Sequence, residues 1–174
     1  MKISTYLGVV ALSIFGLPIQ AWSATASPDI LLANEIQTGC TLRVAKYNIQ
    51  PINNQKYDLI LNWQCSNNEQ TVLDTYLSSD TQSHPEIVTV FYTKSHDVIV
   101  LVKWDETFSG AKATHYKLFA YRYVGDISDA LFVKMDRLSR QFGEGYDGIL
   151  NGQRIDYQYK TAAAIRKHLT ELGE

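Results

Sequence analysis

Two cysteines, Cys40 and Cys65, lie at the ends of one short segment and constrain the fold more than any other feature of the chain. Between them, apolar and polar residues alternate on both sides of the polar stretch 51–54, as they do in the two strands of a hairpin. If 51–54 is a four-residue loop, Gln50 pairs with Gln55 and Cys40 lies directly opposite Cys65. The segment therefore predicts an antiparallel hairpin closed by a disulfide.

The position of the turn decides whether this bond is possible. A turn at Asn53–Asn54 would place Cys40 opposite Asn67, whereas direct opposition at a non-hydrogen-bonded position brings two Cβ atoms close enough to bridge. The sequence contains neither a C-x-x-C motif nor a Cys/His spacing typical of zinc sites. We therefore expect a structural disulfide that contributes on the order of 3 kcal/mol to stability.

Residues 1–26 have the organisation of a secretory signal peptide. A positive charge at Lys2 precedes an apolar run from Tyr6 to Leu17, and small residues permit cleavage after residue 23 or 26. The apolar run is shorter than the ~20 residues that a membrane-spanning helix needs. We therefore expect a periplasmic or secreted protein without a stable membrane anchor, in a compartment that permits disulfides.

Residues 27–174 are long enough for a single exported globular domain with a substantial core. The formal net charge of the chain is −2, and removal of Lys2 with the signal peptide makes it one unit more negative. A slightly acidic protein is a poor match for nucleic acid or an anionic membrane. We expect a protein as the partner and no cofactor.

Strand patterns dominate the chain. Residues 87–93 and 98–104 are rich in β-branched and aromatic side chains, and both faces of this hairpin are apolar, which predicts central strands covered on both sides. Further strands are expected at 71–79 and 115–124. A strong turn signal at Asn151–Gly152 predicts a short hairpin.

Two segments have helical periodicity. The first is predicted over about 128–142, capped by Ser128 or Asp129 and stopped by Gly143; the second covers about 161–172 and is capped by Thr161. Together these patterns predict an α+β fold, a mostly antiparallel sheet built from hairpins with two helices packed on it.

Several motifs have the letters of a functional site without its context. Ser95, His96 and Asp97 are consecutive in a turn, where side chains point apart, while a catalytic triad must converge. Residues 143–148 read GEGYDG, but they follow a helix and carry two acidic side chains, unlike a nucleotide-binding loop. The same acidic stretch is an alternative candidate for Ca²⁺. We expect no catalytic residue and no metal site, although an enzyme remains the third hypothesis.

Surface recognition is the leading hypothesis. An exported inhibitor, such as an immunity protein that neutralises a cell-wall-active enzyme, would use acidic and aromatic loops against a basic partner. The candidate partner-binding residues are Asp105, Glu106, Glu144, Tyr146 and Asp147. The alternative is a periplasmic small-ligand-binding protein whose pocket is lined by the tyrosine-rich strand 115–124.

Overall fold

The structure is a computed structural model that describes residues 30–48, 57–66, 70–80, 83–108, 111–125 and 131–174. The predicted signal peptide and the predicted loop 51–54 lie outside the described residues. Within the described ranges, the strands are β1 Ile30–Leu32, β2 Cys40–Asn48, β3 Tyr57–Cys65, β4 Gln70–Tyr76, β5 Pro85–Tyr92, β6 Asp97–Phe108, β7 Ala111–Tyr123, β8 Phe132–Lys134, β9 Glu144–Leu150 and β10 Gln153–Ile155. The helices are α1 Asp136–Phe142 and α2 Ala162–Leu172.

The first sheet has the strand order β1-β2-β3-β4, and it confirms the predicted cysteine hairpin. Cys40 lies directly opposite Cys65 with a Cα–Cα distance of 4.0 Å, and the two are joined by a disulfide. The Cys40 main chain bonds away from β3: its N–H donates to the Gln37 carbonyl, and its own carbonyl accepts from the Ala33 N–H. The cysteines thus occupy the non-hydrogen-bonded type of pair that brings opposed Cβ atoms together.

The second sheet has the order β10-β9-β7-β6-β5, and all its described pairings are antiparallel. Strand β7 has two partners on the side away from β6. Strand β9 pairs with residues 112–117, and β8 pairs with residues 121–123. The two together do not cover the whole edge of β7.

The second sheet is the middle of three layers. Its core face, turned to the first sheet, contributes Val98, Val100 and Val102 to one apolar cluster that contains Leu42, Leu61 and Trp63 of the first sheet. Its helix face contributes Ile99 and Leu101 to a second cluster with side chains of both helices: Leu138, Phe142, Ile165 and Leu169. Strand β6 is central and covered on both sides, as predicted, but β5 is the edge strand of this sheet, so the prediction of a central position is wrong for residues 87–93. The predicted α+β architecture is confirmed.

The first predicted helix is wrong over its N-terminal part. Helix α1 begins at Asp136, because Phe132–Lys134 instead pair with Tyr121–Tyr123 as β8. The ring of Phe132 lies 5.0 Å from that of Trp63, so this part of the apolar pattern packs between the sheets. The proposed caps at 128 and 129 lie outside the described residues. Gly143 ends the helix as predicted, with φ 64°.

The C-terminal predictions are confirmed more closely. The Thr161 side chain accepts a hydrogen bond from the Ala164 N–H at the start of α2, and Ile165 is buried in the core. Asn151 and Gly152 form the turn between β9 and β10, both with positive φ, as a two-residue hairpin turn requires. No helix in the described part of the chain is long and apolar enough to cross a bilayer.

Candidate functional site

The five predicted partner-binding residues lie at one end of the second sheet, and they lie on strands. Residues 105–108 extend β6 and residues 111–114 begin β7, so Asp105 and Glu106 lie in a long hairpin and not in one of the acidic loops expected for the partner-binding residues. The expected acidic loop at 143–148 is also wrong, since Glu144–Leu150 form β9. Strand β7 lies between β6 and β9 and brings the candidates into register.

The register places Trp104 of β6, His115 of β7 and Tyr146 of β9 in one line across three strands, which we call the aromatic row. The rings of Trp104 and His115 have centroids 5.5 Å apart, and His115 stacks on Tyr146 at 4.7 Å. The Trp104 indole Nε1–H also donates to the Leu77 carbonyl at 2.8 Å. The aromatic row therefore holds Tyr146 from the side of the core.

Glu106 shares the core face with the aromatic row, since it lies two residues beyond Trp104 on the same strand. It is only 7% exposed, and its carboxylate is an electrostatic neighbour of the Tyr146 phenol. Burial, together with this acidic neighbour, raises the pKa of Tyr146. Tyr146 is therefore a neutral phenol whose ring is held by the stacking contact with His115.

Glu144 is the exposed acidic residue on this face. Its carboxylate lies 2.7 Å from the Lys117 ammonium and 3.9 Å from His115 Nε2. The hydrogen bond from Lys117 is the main reason that the pKa of Glu144 is lowered. Glu144 is thus a charged, partly neutralised neighbour of the aromatic row.

Asp105 and Asp147 lie on the opposite face of the sheet, so the structure splits the predicted set. Strand register places both beside Thr114 on the helix face. Thr114 Oγ1 donates to Asp105 at 2.7 Å, and the Lys103 ammonium lies 2.9 Å from the same side chain. Burial opposes ionisation of Asp105, but these two donors outweigh it and lower its pKa. Asp147 accepts from Lys160 at 2.9 Å.

Two glycines of β9 explain why residues 143–148 resemble a nucleotide-binding motif. A Cβ on Gly145 would lie 2.8 Å from the Tyr157 ring, and a Cβ on Gly148 would lie 2.5 Å from the Lys112 carbonyl oxygen. Both positions require close approach of a neighbour to the strand backbone. The glycines serve strand packing here.

In the motifs that resembled catalytic or metal sites, the side chains do not come together in the structure. His96 is exposed in a turn with φ 62°, while the buried Asp97 carboxylate pairs with Arg122 at 2.8 Å, so the Ser95–His96–Asp97 stretch has no triad geometry. Glu144 and Asp147 point to opposite faces of β9, which separates the carboxylates proposed for Ca²⁺. Among the described residues, no group of three or more His, Cys, Asp or Glu side chains is arranged to hold a metal ion.

The tyrosines of the strand 115–124 serve packing in the described structure. Tyr121 is 2% exposed in the core between the sheets, Tyr123 contacts Trp63, and Tyr116 stacks on Tyr157. Phe119 is the aromatic residue of this strand that lines a described cavity. The alternative ligand-binding hypothesis therefore needs a different lining from the one that the sequence indicated.

Sequence reasoning did not select Trp104 and His115, although one signal was available. The dipeptide Ser109–Gly110 is typical of a tight turn, and Phe108 pairs with Ala111 across it. A two-residue turn at that position would have aligned Trp104 with His115 from the sequence alone. The pairing of β7 with β9 had no comparable local signal.

The chain matches no family model, and it shows no significant similarity to a curated protein or to a solved structure.

Proposed function

We propose that this protein is exported to the periplasm or secreted, and that it binds another protein there. It acts as an inhibitor, such as an immunity protein, of a basic enzyme that attacks the cell wall or another part of the envelope. The Cys40–Cys65 disulfide supports an oxidising compartment, and the signal-peptide pattern of residues 1–26 supports export.

The single observation that carries the proposal is the fixed position of Tyr146 at the half-exposed end of the aromatic row. Tyrosine and tryptophan are enriched among the residues that dominate binding energy at interfaces. A ring already held by stacking on His115 loses little conformational freedom when a partner covers it. Tyr146 is therefore the proposed anchor.

Charge supports a basic partner. Glu106 and Glu144 lie on the same face as Tyr146, and Lys117 is the ammonium group that neutralises Glu144 in the free protein. An arginine or lysine of a partner would compete with Lys117 for this carboxylate. Such charge complementarity accelerates association and selects the partner.

Affinity capture tests the proposal. The mature, oxidised protein is immobilised and exposed to envelope fractions and to purified cell-wall hydrolases, and the bound proteins are identified by mass spectrometry. We expect a basic enzyme in stoichiometric amount. A folded wild-type protein that retains no such enzyme would contradict the proposal.

Two tyrosine variants make the capture specific for the proposed surface. Tyr146→Ala removes the anchor, while Tyr47→Ala removes a tyrosine that is 61% exposed on a strand of the first sheet. The enzyme should be lost with Tyr146→Ala and retained with Tyr47→Ala. Equal retention by both variants would rule out Tyr146 as the anchor.

A further inference from the structure

An incomplete sheet edge creates a cavity that adjoins the proposed protein-binding surface and shares Lys117 and Glu144 with it. Strand β9 pairs with β7 up to Lys117, and β8 resumes the pairing at Tyr121, so no strand of the described segments lies beside residues 118–120 on this side. Helix α1 crosses the gap instead. The Met135 N–H donates to the Ala120 carbonyl, and the Ala120 N–H donates to Ser139 Oγ at 3.2 Å.

The cavity under this helix has a volume of about 390 Å³. That volume falls within the roughly 300–1,000 Å³ range of small-molecule sites. Its walls include apolar surface from Leu118 and Phe119 and backbone at Gly143. It is thus large enough, and mixed enough in polarity, for a small organic molecule.

Three cationic side chains line the same cavity: Lys117, Lys134 and Arg140. The ammonium groups of Lys117 and Lys134 lie 5.9 Å and 5.1 Å from the centroid of the Phe119 ring. Two like charges therefore border one aromatic surface. An anion between them would relieve their repulsion while its apolar part contacts the ring.

The two lysines are positioned by carboxylates and still have donors to spare. Lys117 bonds to Glu144 at 2.7 Å, and Lys134 bonds to Asp74 at 2.8 Å. Each ammonium group has three N–H donors, so neither is saturated by a single carboxylate. Both ammonium groups remain within 6 Å of the centroid of the Phe119 ring, at 5.9 Å for Lys117 and 5.1 Å for Lys134.

Helix α1 supplies further donors. Arg140 is exposed in its last turn, and within the described part of the chain no ion pair involves its guanidinium group. Ser139 Oγ accepts from the Ala120 N–H, which leaves its hydroxyl proton to donate. Against these donors stand the two carboxylates of the lining, Asp136 and Glu144, of which Glu144 is already bonded to Lys117.

We propose that this cavity binds a small organic anion, a carboxylate or a phosphate monoester, whose charge is held by Lys117, Lys134 and Arg140 and whose apolar part contacts Phe119. The site goes beyond the proposed protein-binding function. Tyr146 is not among the residues that line the cavity, so variants of the two surfaces separate the two proposals.

Ligand titration of the mature, oxidised protein tests the site by calorimetry and by NMR shifts of the labelled protein. The probes are phenyl phosphate, benzoate, inorganic phosphate and the neutral benzyl alcohol. We expect one of the organic anions to saturate a single site with a Kd of about 1 mM or below. Tighter binding of phenyl phosphate identifies a phosphate monoester site, and tighter binding of benzoate identifies a carboxylate site.

Three variants locate the binding. Arg140→Gln and Lys134→Gln should each weaken the preferred anion about fivefold or more, because each removes a charged donor. Arg154→Gln removes an exposed cation on β10 and should leave the affinity within about twofold. Arg140→Gln is the decisive variant, because Lys134→Gln also removes the contact with Asp74.

The proposal is overturned by any of three results. The first is the absence of saturable binding by either organic anion. The second is equal affinity for benzyl alcohol or for inorganic phosphate, since charge and apolar surface must both contribute. The third is an affinity that Arg140→Gln leaves unchanged.

Discussion

The hydroxyl of Tyr121 donates a hydrogen bond to the carboxylate of Asp74 and thereby joins the second sheet to the first across the core. The Tyr76 hydroxyl lies 3.1 Å from the same oxygen of Tyr121, and Tyr121 is 2% exposed. Burial is the main cause that raises the pKa of Tyr121, so the phenol stays protonated and remains a donor. The core thus contains a satisfied polar chain where an apolar contact would be usual.

Tyr121→Phe should destabilise the protein by about 1–3 kcal/mol, because it leaves the buried hydroxyl of Tyr76 and the carboxylate of Asp74 with one partner fewer. Urea denaturation at pH 7 measures the change in the free energy of unfolding. A loss below about 0.5 kcal/mol would show that the polar chain does not stabilise the sheet pair.

Tyr92→Phe is the matched comparison. The Tyr92 hydroxyl is buried, no hydrogen-bond partner is described for it, and burial raises the pKa of this side chain to about 12. Removing an unsatisfied hydroxyl should be neutral or slightly stabilising. An equal loss of stability in Tyr92→Phe and Tyr121→Phe would show that the hydrogen bonds of the Tyr121 hydroxyl do not cause the effect of Tyr121→Phe.

The disulfide joins residues 25 positions apart. Replacing both cysteines by alanine should lower the free energy of unfolding by about 3 kcal/mol, since the unfolded chain regains the freedom that the cross-link removes. Thiol labelling of the denatured, unreduced protein should find no reactive thiol. Two reactive thiols, or a Tm that is insensitive to reductant, would contradict a structural disulfide.

Acidification should lower the stability of the folded protein, because it protonates carboxylates whose pKa is lowered by a neighbouring lysine. In the unfolded chain, Glu144 binds its proton near the ordinary pKa of 4.5, while Lys117 lowers the folded value. The ion pair therefore stabilises the protein fully above pH 4.5, and the contribution is lost as the pH falls through the lower folded pKa. The same holds for Asp105, whose contribution to stability is lost as the pH falls below the ordinary pKa of 3.8 and through the lower folded pKa.

Urea midpoints measured between pH 7 and pH 3 test this dependence. Glu144→Gln should weaken the decrease of the urea midpoint at acidic pH. Adding 1 M NaCl should also weaken it, because the Glu144 side chain is 53% exposed and its ion pair is screened by salt. Asp80→Asn, at an exposed turn position, is the control and should keep the wild-type slope. A Glu144→Gln profile that follows the wild type would contradict the assignment.

Gly148→Ala should destabilise the sheet by about 1–3 kcal/mol, because the new Cβ would lie 2.5 Å from the Lys112 carbonyl oxygen and 2.8 Å from the Ala113 Cα. Gly152→Ala separates steric contact from backbone strain: its φ is 76°, but nothing lies within 4 Å of its Cβ position. Thermal unfolding should show the larger loss for Gly148→Ala. Equal losses would assign the effect to positive φ alone.

Local patterns in the sequence predict the elements whose register is set by neighbours along the chain. The cysteine hairpin follows from alternation and one turn, and α2 follows from a capping threonine and an apolar face. The central strand 98–104 follows from two apolar faces. In each case the side chains that decide the structure lie within the segment itself.

Pairing between distant segments produces the strands that the sequence patterns do not predict. Strand β8 forms because residues 121–123 of β7 offer an unpaired edge, and Phe132 then packs against Trp63 of the other sheet. Strand β9 forms because Gly145 and Gly148 permit close neighbours. These long-range pairings override the helical periodicity near residue 131 and divide the acidic candidates between two faces.

The most direct measurement of the central claim is the activity of the captured basic enzyme, titrated with the mature, oxidised protein. We predict a loss of activity that ends at one equivalent of inhibitor. Tyr146→Ala should weaken inhibition about tenfold or more, and Tyr47→Ala should match the wild type. Full enzyme activity at saturating wild-type protein, or equal inhibition by Tyr146→Ala, would contradict the proposed inhibitor and its anchor.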